Sequence, residues 1–150
     1  MGTRIEAVAT SLPRPRVGGT GAIELADAAA TACLERASRQ ASEVDLLINA
    51  GVYRDNNLYE PALASIIQED PGAERPGHGA FSFDVDNGAC GVLTGIHILD
   101  GFLASGAIDL GMVVTSDADP ELGSHWDFPF GLVGTAGRVS RKSGAGFPFA

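Results

Sequence analysis

An α/β fold is what this 150-residue sequence predicts, and three observations predict it: strand-like and helix-like segments alternate along the chain, the strand-like segments are short and nearly continuously apolar, and glycine-rich turns separate them. Strands covered on both faces read as unbroken apolar runs, and parallel neighbours need a crossover helix between them. The expected order is βαβαβαβ, a mainly parallel sheet with helices on both faces, since right-handed crossovers join strands in that alternation.

The elements follow in order. Ile5 to Ala9 mixes β-branched and small apolar residues and stops at Ser11-Leu12-Pro13, which predicts the first strand. From Ala22 to about Gln40, Ile23, Ala26, Ala30, Cys33, Leu34 and Ala37 recur at helical spacing, with Glu24, Asp27, Glu35, Arg36 and Arg39 on the wet face. Val44 to Ala50 is a buried-strand run ending at Gly51. Tyr59 to Glu69 carries Leu63, Ile66 and Ile67 at helical intervals, opened near Pro61 and closed by Asp70-Pro71-Gly72. Ala80 to Asp86 alternates Phe81, Phe83 and Val85 with small or polar residues, the pattern of a half-buried strand at or near a sheet edge. Val92 to Ser105 has an apolar stripe of Leu93, Ile96, Leu99, Phe102 and Leu103 and stops at Gly106. Asp109 to Ser116 is the next buried strand. Beyond Pro120 no period is convincing, so residues 1–119 are expected to form the domain and 120–150 an irregular tail or the truncated start of a further strand.

Bulk properties narrow the function classes. A chain of this length with 45% hydrophobic and 19% charged residues folds around one core. A net charge of −9, with Lys142 the only lysine, excludes a general nucleic-acid binder, which needs clustered Lys and Arg to neutralise phosphates. Met1-Gly2-Thr3-Arg4 leads into a strand-like run rather than an apolar leader, so a cytoplasmic protein without a membrane partner is expected. Cys33 and Cys90 have no companion Cys or His at metal-ligand spacing, which leaves two single thiols and no metal expected.

Of the two, Cys90 stands out. It follows a strand, is flanked by Gly88, Ala89 and Gly91, and opens a long helix, where the helix dipole and unpaired backbone N–H groups favour thiolate. Small neighbours leave room for a substrate and permit the tight turn that exposes a nucleophile, the logic of the hydrolase elbow. Local features alone leave two readings open, a nucleophile or a small buried hydrophobe. Cys33, at an apolar mid-helix position, reads as packing.

Phe83-Asp84-Val85-Asp86-Asn87-Gly88-Ala89-Cys90-Gly91-Val92-Leu93-Thr94-Gly95-Ile96, followed by Leu103-Ala104-Ser105-Gly106 and Met112-Val113-Val114-Thr115-Ser116-Asp117, resembles the active-site region of the β-ketoacyl-ACP synthase III family and its thiolase-fold relatives. Val44 to Gly51 resembles the family's second strand, and the likeness runs from about Ile5 to Asp119, the N-terminal half of that fold. The resemblance implies acyl transfer in fatty acid, polyketide or other secondary-metabolite biosynthesis. Cys90 would take an acyl group from an acyl-CoA or acyl-ACP thioester, with its own N–H in the oxyanion hole and Ala89, Gly88 and Gly91 shaping the turn. The thioester is a substrate, and no resident cofactor is implied. A homodimer through strand 80–86 is expected, as in the family.

The sequence departs from the family after Asp119, where the second half with its His, Asn and glycine N–H would follow. His78 and His125 occupy no family motif, and His97, seven residues beyond Cys90, lies about 10 Å down the helix and reads as a core or interface residue. The loop after the first strand lacks the family's Trp- and Arg-containing insertion that helps bind coenzyme A; with Trp126-Asp127-Phe128-Pro129-Phe130, this points to divergent relatives that acylate secondary metabolites. Only Arg14 with Arg16, or Arg138 with Arg141 and Lys142, offer basic clusters for an acidic carrier.

Three alternatives compete with this reading. Gly18-Gly19-Thr20-Gly21 before a helix suggests a phosphate loop, but the G-x-G-x-x-G spacing is absent and Asn49-Ala50-Gly51 ends the second strand where an acid is needed. The D-x-D pairs Asp84/Asp86 and Asp117/Asp119 read as solvated or helix-capping carboxylates rather than cation ligands. The rival of a different class is a non-catalytic thiolase-fold fragment that needs a complementary half and exposes an apolar patch until it finds one.

Overall fold

The computed structural model describes residues 3–13, 20–55, 62–69, 81–119 and 131–141. Strand β1 (Thr3–Ser11) leads to helix α1 (Ala22–Arg36), a single 3₁₀ turn (Ala41–Glu43) and strand β2 (Leu46–Asn49). Helix α2 (Leu63–Glu69), strand β3 (Phe81–Asp84) and a second 3₁₀ turn (Gly88–Cys90) follow. Helix α3 (Gly91–Ser105) and strands β4 (Leu110–Asp117) and β5 (Val133–Arg141) complete the order.

One five-stranded sheet runs β1-β5-β4-β2-β3. β2 pairs in parallel with both β3 and β4, with Asn49 opposite Asp84 and Val114. The four strands expected from sequence share one direction, but the sheet is mixed because β5 lies antiparallel between β1 and β4. Residues 133–141 are therefore not an irregular tail: nine residues of the expected tail form a strand between two others, while 120–130 and 142–150 lie outside the described residues. β3 lies at a sheet edge, as its alternation predicts.

Helices cover both faces. On one, the alanines of α1 (Ala26, Ala29, Ala30) and Leu63, Ala64 and Ile67 of α2 pack on Leu47, Met112, Val114 and Ala136. Small side chains let α1 lie close to the sheet, and Leu34, Leu47, Leu63, Ile67, Leu110 and Met112 fill the space around them. On the other face, Leu99 and Leu103 of α3 pack on Leu46, Ile48, Val113 and Val139. α1 stops at Arg36, short of the expected Gln40, because Ser38 turns left-handed at φ 52°. α3 ends where predicted, with Gly106 at φ 78° as its cap.

Loop ends are held by carboxylates. Asp55 accepts the N–H groups of Ala22 and Ile23 at 2.6 and 3.2 Å, and Asp84 those of Leu63 and Ala64 at 3.0 and 2.9 Å. Asp117 accepts Val52 and Tyr53 N–H at 3.0 and 2.7 Å. The first turn of α1, the candidate phosphate site, is thus already filled by an internal anion; Gly18 and Gly19 lie outside the described residues.

Candidate active site

The C-terminal ends of β2, β3 and β4 lie side by side, and the chain leaving β3 turns through Asp86-Asn87-Gly88-Ala89-Cys90 into α3. Every residue of that turn is exposed. Gly88 sits at φ 47°, a left-handed conformation a side chain would strain. Cys90 is the residue immediately before α3, exposed and unoxidised, so its Sγ stands in the open at a helix start. Cys33 is the opposite case: it is fully buried, its Sγ lies 3.5 Å from the Ala7 carbonyl, and burial pushes its thiol pKa up.

Two glycines one turn apart seat α3. A Cβ on Gly91 would lie 3.0 Å from the Ala50 carbonyl oxygen, and one on Gly95 3.1 and 3.2 Å from the Val113 methyls. The helix therefore approaches β2 and β4 as closely as backbone allows, which holds Cys90 at the strand ends. Asn87 Nδ2 donates to the Thr94 hydroxyl at 2.8 Å, and that hydroxyl donates to the Cys90 carbonyl at 3.1 Å, lacing the turn to the helix.

Beneath the turn, sequence reasoning missed Arg54. Its side chain is 3% exposed and pairs with Asp84 at 3.0 Å and Asp86 at 3.3 Å, while buried Asn49 donates to Asp84 at 3.2 Å. The strand-end carboxylates leading to Cys90 are thus clamped by one guanidinium and one amide. A signal was present: an arginine five residues past a buried strand whose parallel neighbour ends in D-x-D. Of the D-x-D acids, Asp84 and Asp117 accept backbone N–H groups and Asp84 and Asp86 pair with Arg54, and among the described residues no group of three His, Cys, Asp or Glu is placed to hold a metal ion.

The Cys90 N–H donates to the Asn87 carbonyl at 3.0 Å, so an oxyanion could take only a share of that hydrogen in a three-centre bond of the kind found at helix ends. His97 is exposed on α3 rather than in the core. Arg138, named as a carrier-docking residue, is 2% exposed and paired with Glu6, so it cannot meet a protein surface. His78, His125, Arg14, Arg16 and Lys142 lie outside the described residues.

No family model and no curated protein matches the chain. Solved structures do. The 3-oxoacyl-[acyl-carrier-protein] synthase III from Aquifex aeolicus aligns at 20% identity and TM-score 0.77, over 94% of this chain and 54% of that one. OleA from Xanthomonas campestris with bound lauric acid and lauroyl-CoA aligns at 19% identity and TM-score 0.77, over 94% and 57%. The priming β-ketosynthase of the R1128 polyketide pathway gives 19% identity and TM-score 0.77, over 94% and 50%. The chain has the thiolase-like α/β fold of the ketoacyl synthase III structures, and it spans about half the length of the solved chains it matches.

Proposed function

We propose that this chain is the nucleophile-bearing half of an acyltransferase of the β-ketoacyl-ACP synthase III type, serving fatty acid or polyketide and secondary-metabolite biosynthesis. The observation that carries the reading is the placement of Cys90: an exposed thiol at the first turn of a fifteen-residue helix, on a turn tied down from below by Arg54 and Asp84. Cys90 Sγ attacks the carbonyl of an acyl-CoA or acyl-ACP thioester, the donor C–S bond breaks, a new acyl–Sγ bond forms, and the donor thiol leaves with the Cys90 proton. The exposed edge of β3 is the proposed homodimer contact, since Phe81 is 54% exposed there and packs edge-on against Phe83.

Incubation with acetyl-CoA and intact-mass analysis tests the reading. One acyl adduct is expected, on the Cys90 peptide, and none on Cys90→Ala. Absence of an adduct from acyl-CoA and from acyl-ACP, or its survival in Cys90→Ala, overturns it.

A second reading is favoured by a specific observation. The helix with its leading turn, Gly88–Ser105, is apolar enough and long enough to cross a membrane by composition, yet only 22% of that stretch is buried. Such a helix asks for cover, which supports a non-catalytic thiolase-fold fragment that works only with a complementary half.

A further inference from the structure

One helix covers the α3 side of the sheet where two cover the other, and the shortfall falls in one place. α3 is seated over β2 and β4 through Gly91, Gly95 and Leu99, and beside it β5 and β1 carry a bare strip. Ile5, Val8, Thr135 and Gly137 form the floor of that strip and Val92 and Ile96 of α3 its wall, around a cleft of about 100 Å³. Ile5 is 37% and Val8 49% exposed there. The Thr3 hydroxyl donates to Asp100 where the strip ends, at the start of β1. No charged side chain lines the cleft, on a chain whose net charge is −9.

The strip is two strands wide, about 10 Å, and an α-helix with its side chains is about 10–12 Å across. One helix therefore fills it. α1 and α2 have no exposed large apolar side chain, so neither offers an apolar face to lay there. α3 does. Leu93, His97, Asp100 and Ala104 recur at helical spacing on the face turned away from Gly91 and Gly95, and all four are exposed, Leu93 by 68%. Beside them a Cβ on Gly101 would meet nothing within 4 Å, so the second half of this crest stands low enough for a strand pair to approach it closely.

We infer that the strip binds a second copy of this chain, with α3 of each copy lying on β1 and β5 of the other. A two-fold pair sets both crests on both strips at once, so one isologous contact covers the bare surface of each copy and closes at two. An uncharged contact lets two acidic chains meet with their like charges kept outside it. The fifteen residues of α3 span roughly 22 Å, and helix plus strip is roughly 20 Å wide, which gives a face of about 450 Å² in projection. Stable complexes bury about 800 Å² per partner, so this pair is a weak one, with Kd on the order of 10–100 μM. In the dilute solutions of an unfolding measurement the copies are apart. A dimer through β3, at the opposite edge of the sheet from β1, leaves the strip bare, and the α3 pair forms whether or not Cys90 transfers acyl groups.

The test is maleimide labelling of Leu93→Cys in the full chain carrying Cys90→Ala, read by intact mass from ~1 to ~500 μM protein. Tenfold above Kd about one fifth of the chains remain single, so the labelling rate is expected to fall about fivefold from its dilute value. Glu35→Cys, on the outer side of α1, is expected to keep one rate throughout. Adding Val8→Asp puts a charge on the strip and should return Leu93→Cys to its dilute rate at every concentration; Val8→Ser serves the same purpose if the Asp variant unfolds at a lower temperature. A rate that is fast at all concentrations, slow at all concentrations, or slowed equally in Glu35→Cys overturns the inference, as does protection that persists with Val8 replaced. Because Cys90 is absent throughout, the outcome is separate from that of the acylation experiment.

Discussion

The two faces of the sheet are finished to different degrees. Under α1 and α2 the packing is closed, and Ala26, Ala29, Ala30, Cys33 and Ala64 have no exposed surface. Under α3 the sheet is only half covered. Ile5 is 37% and Val8 49% exposed, Leu93 is 68% exposed on the helix itself, and an apolar cleft of about 100 Å³ lies among Val8, Val92, Ile96, Val113, Thr135 and Val139. A helix can thus be firmly seated through glycines and two leucines without sealing the surface beside it. Stability and function are divided accordingly: the closed face holds the inert thiol, the open face carries the accessible one.

The contrast can be broken most directly through the two thiols. Iodoacetamide near neutral pH is expected to label Cys90 at least ~100-fold faster than Cys33, because access and a raised pKa both disfavour the buried thiol; equal labelling by peptide mass spectrometry would erase the distinction between the faces. Next in size is the seat of α3. Leu99→Ala should cost about 3 kcal/mol in denaturant unfolding, since Leu99 is fully buried over Gly111, whereas Leu93→Ala should stay within ~0.5 kcal/mol. A similar loss at both positions would mean that the outer side of α3 is covered.

Arg54→Met tests whether the turn depends on its clamp. Removing the buried guanidinium leaves Asp84 with its hydrogen bonds but without its counter-charge, and a loss of roughly 3 kcal/mol is expected together with slower acylation of Cys90. Asp84→Asn, Arg54→Met should recover part of that loss if the uncompensated charge is its cause. The smallest effect concerns pH. Hydrogen bonds from Ser140 and Arg4 and the charges of Arg138 and Arg4 outweigh the opposing effect of burial and hold the Glu6 carboxyl below the usual 4.5. Its contribution to stability is therefore present above pH 4.5 and disappears as pH falls through the lowered folded value, so Glu6→Gln should flatten the acid limb of Tm against pH.

Four strands and three helices were legible because each advertised its burial: continuous apolar runs for β2 and β4, alternation for edge strand β3, a 3.6-residue stripe for α1 and α3. β5 was not. Its inner positions include Arg138 and Ser140, which are buried only because Glu6 on the neighbouring strand accepts from both, and Gly134 and Gly137 interrupt what apolar pattern remains. No local rule reports a polar strand made tolerable by a carboxylate more than a hundred residues away. The same holds at the candidate site. Cys90 announced itself through its small neighbours and the helix behind it, whereas the role of Arg54 depends on β2 and β3 lying in register, and the capture of the Cys90 N–H by Asn87 depends on the exact pitch of one turn.

The pairing of Thr3 with Arg141 has a consequence for biosynthesis. β1 leaves the ribosome well before its hydrogen-bonding partner β5, and at about 5–20 residues per second the wait is on the order of ten seconds. Throughout that interval β1 offers an unsatisfied ladder to any extended peptide nearby. α1, which is made long before β5, can cover the Ala7 and Ala9 face of β1 in that interval but cannot satisfy its backbone hydrogen bonds.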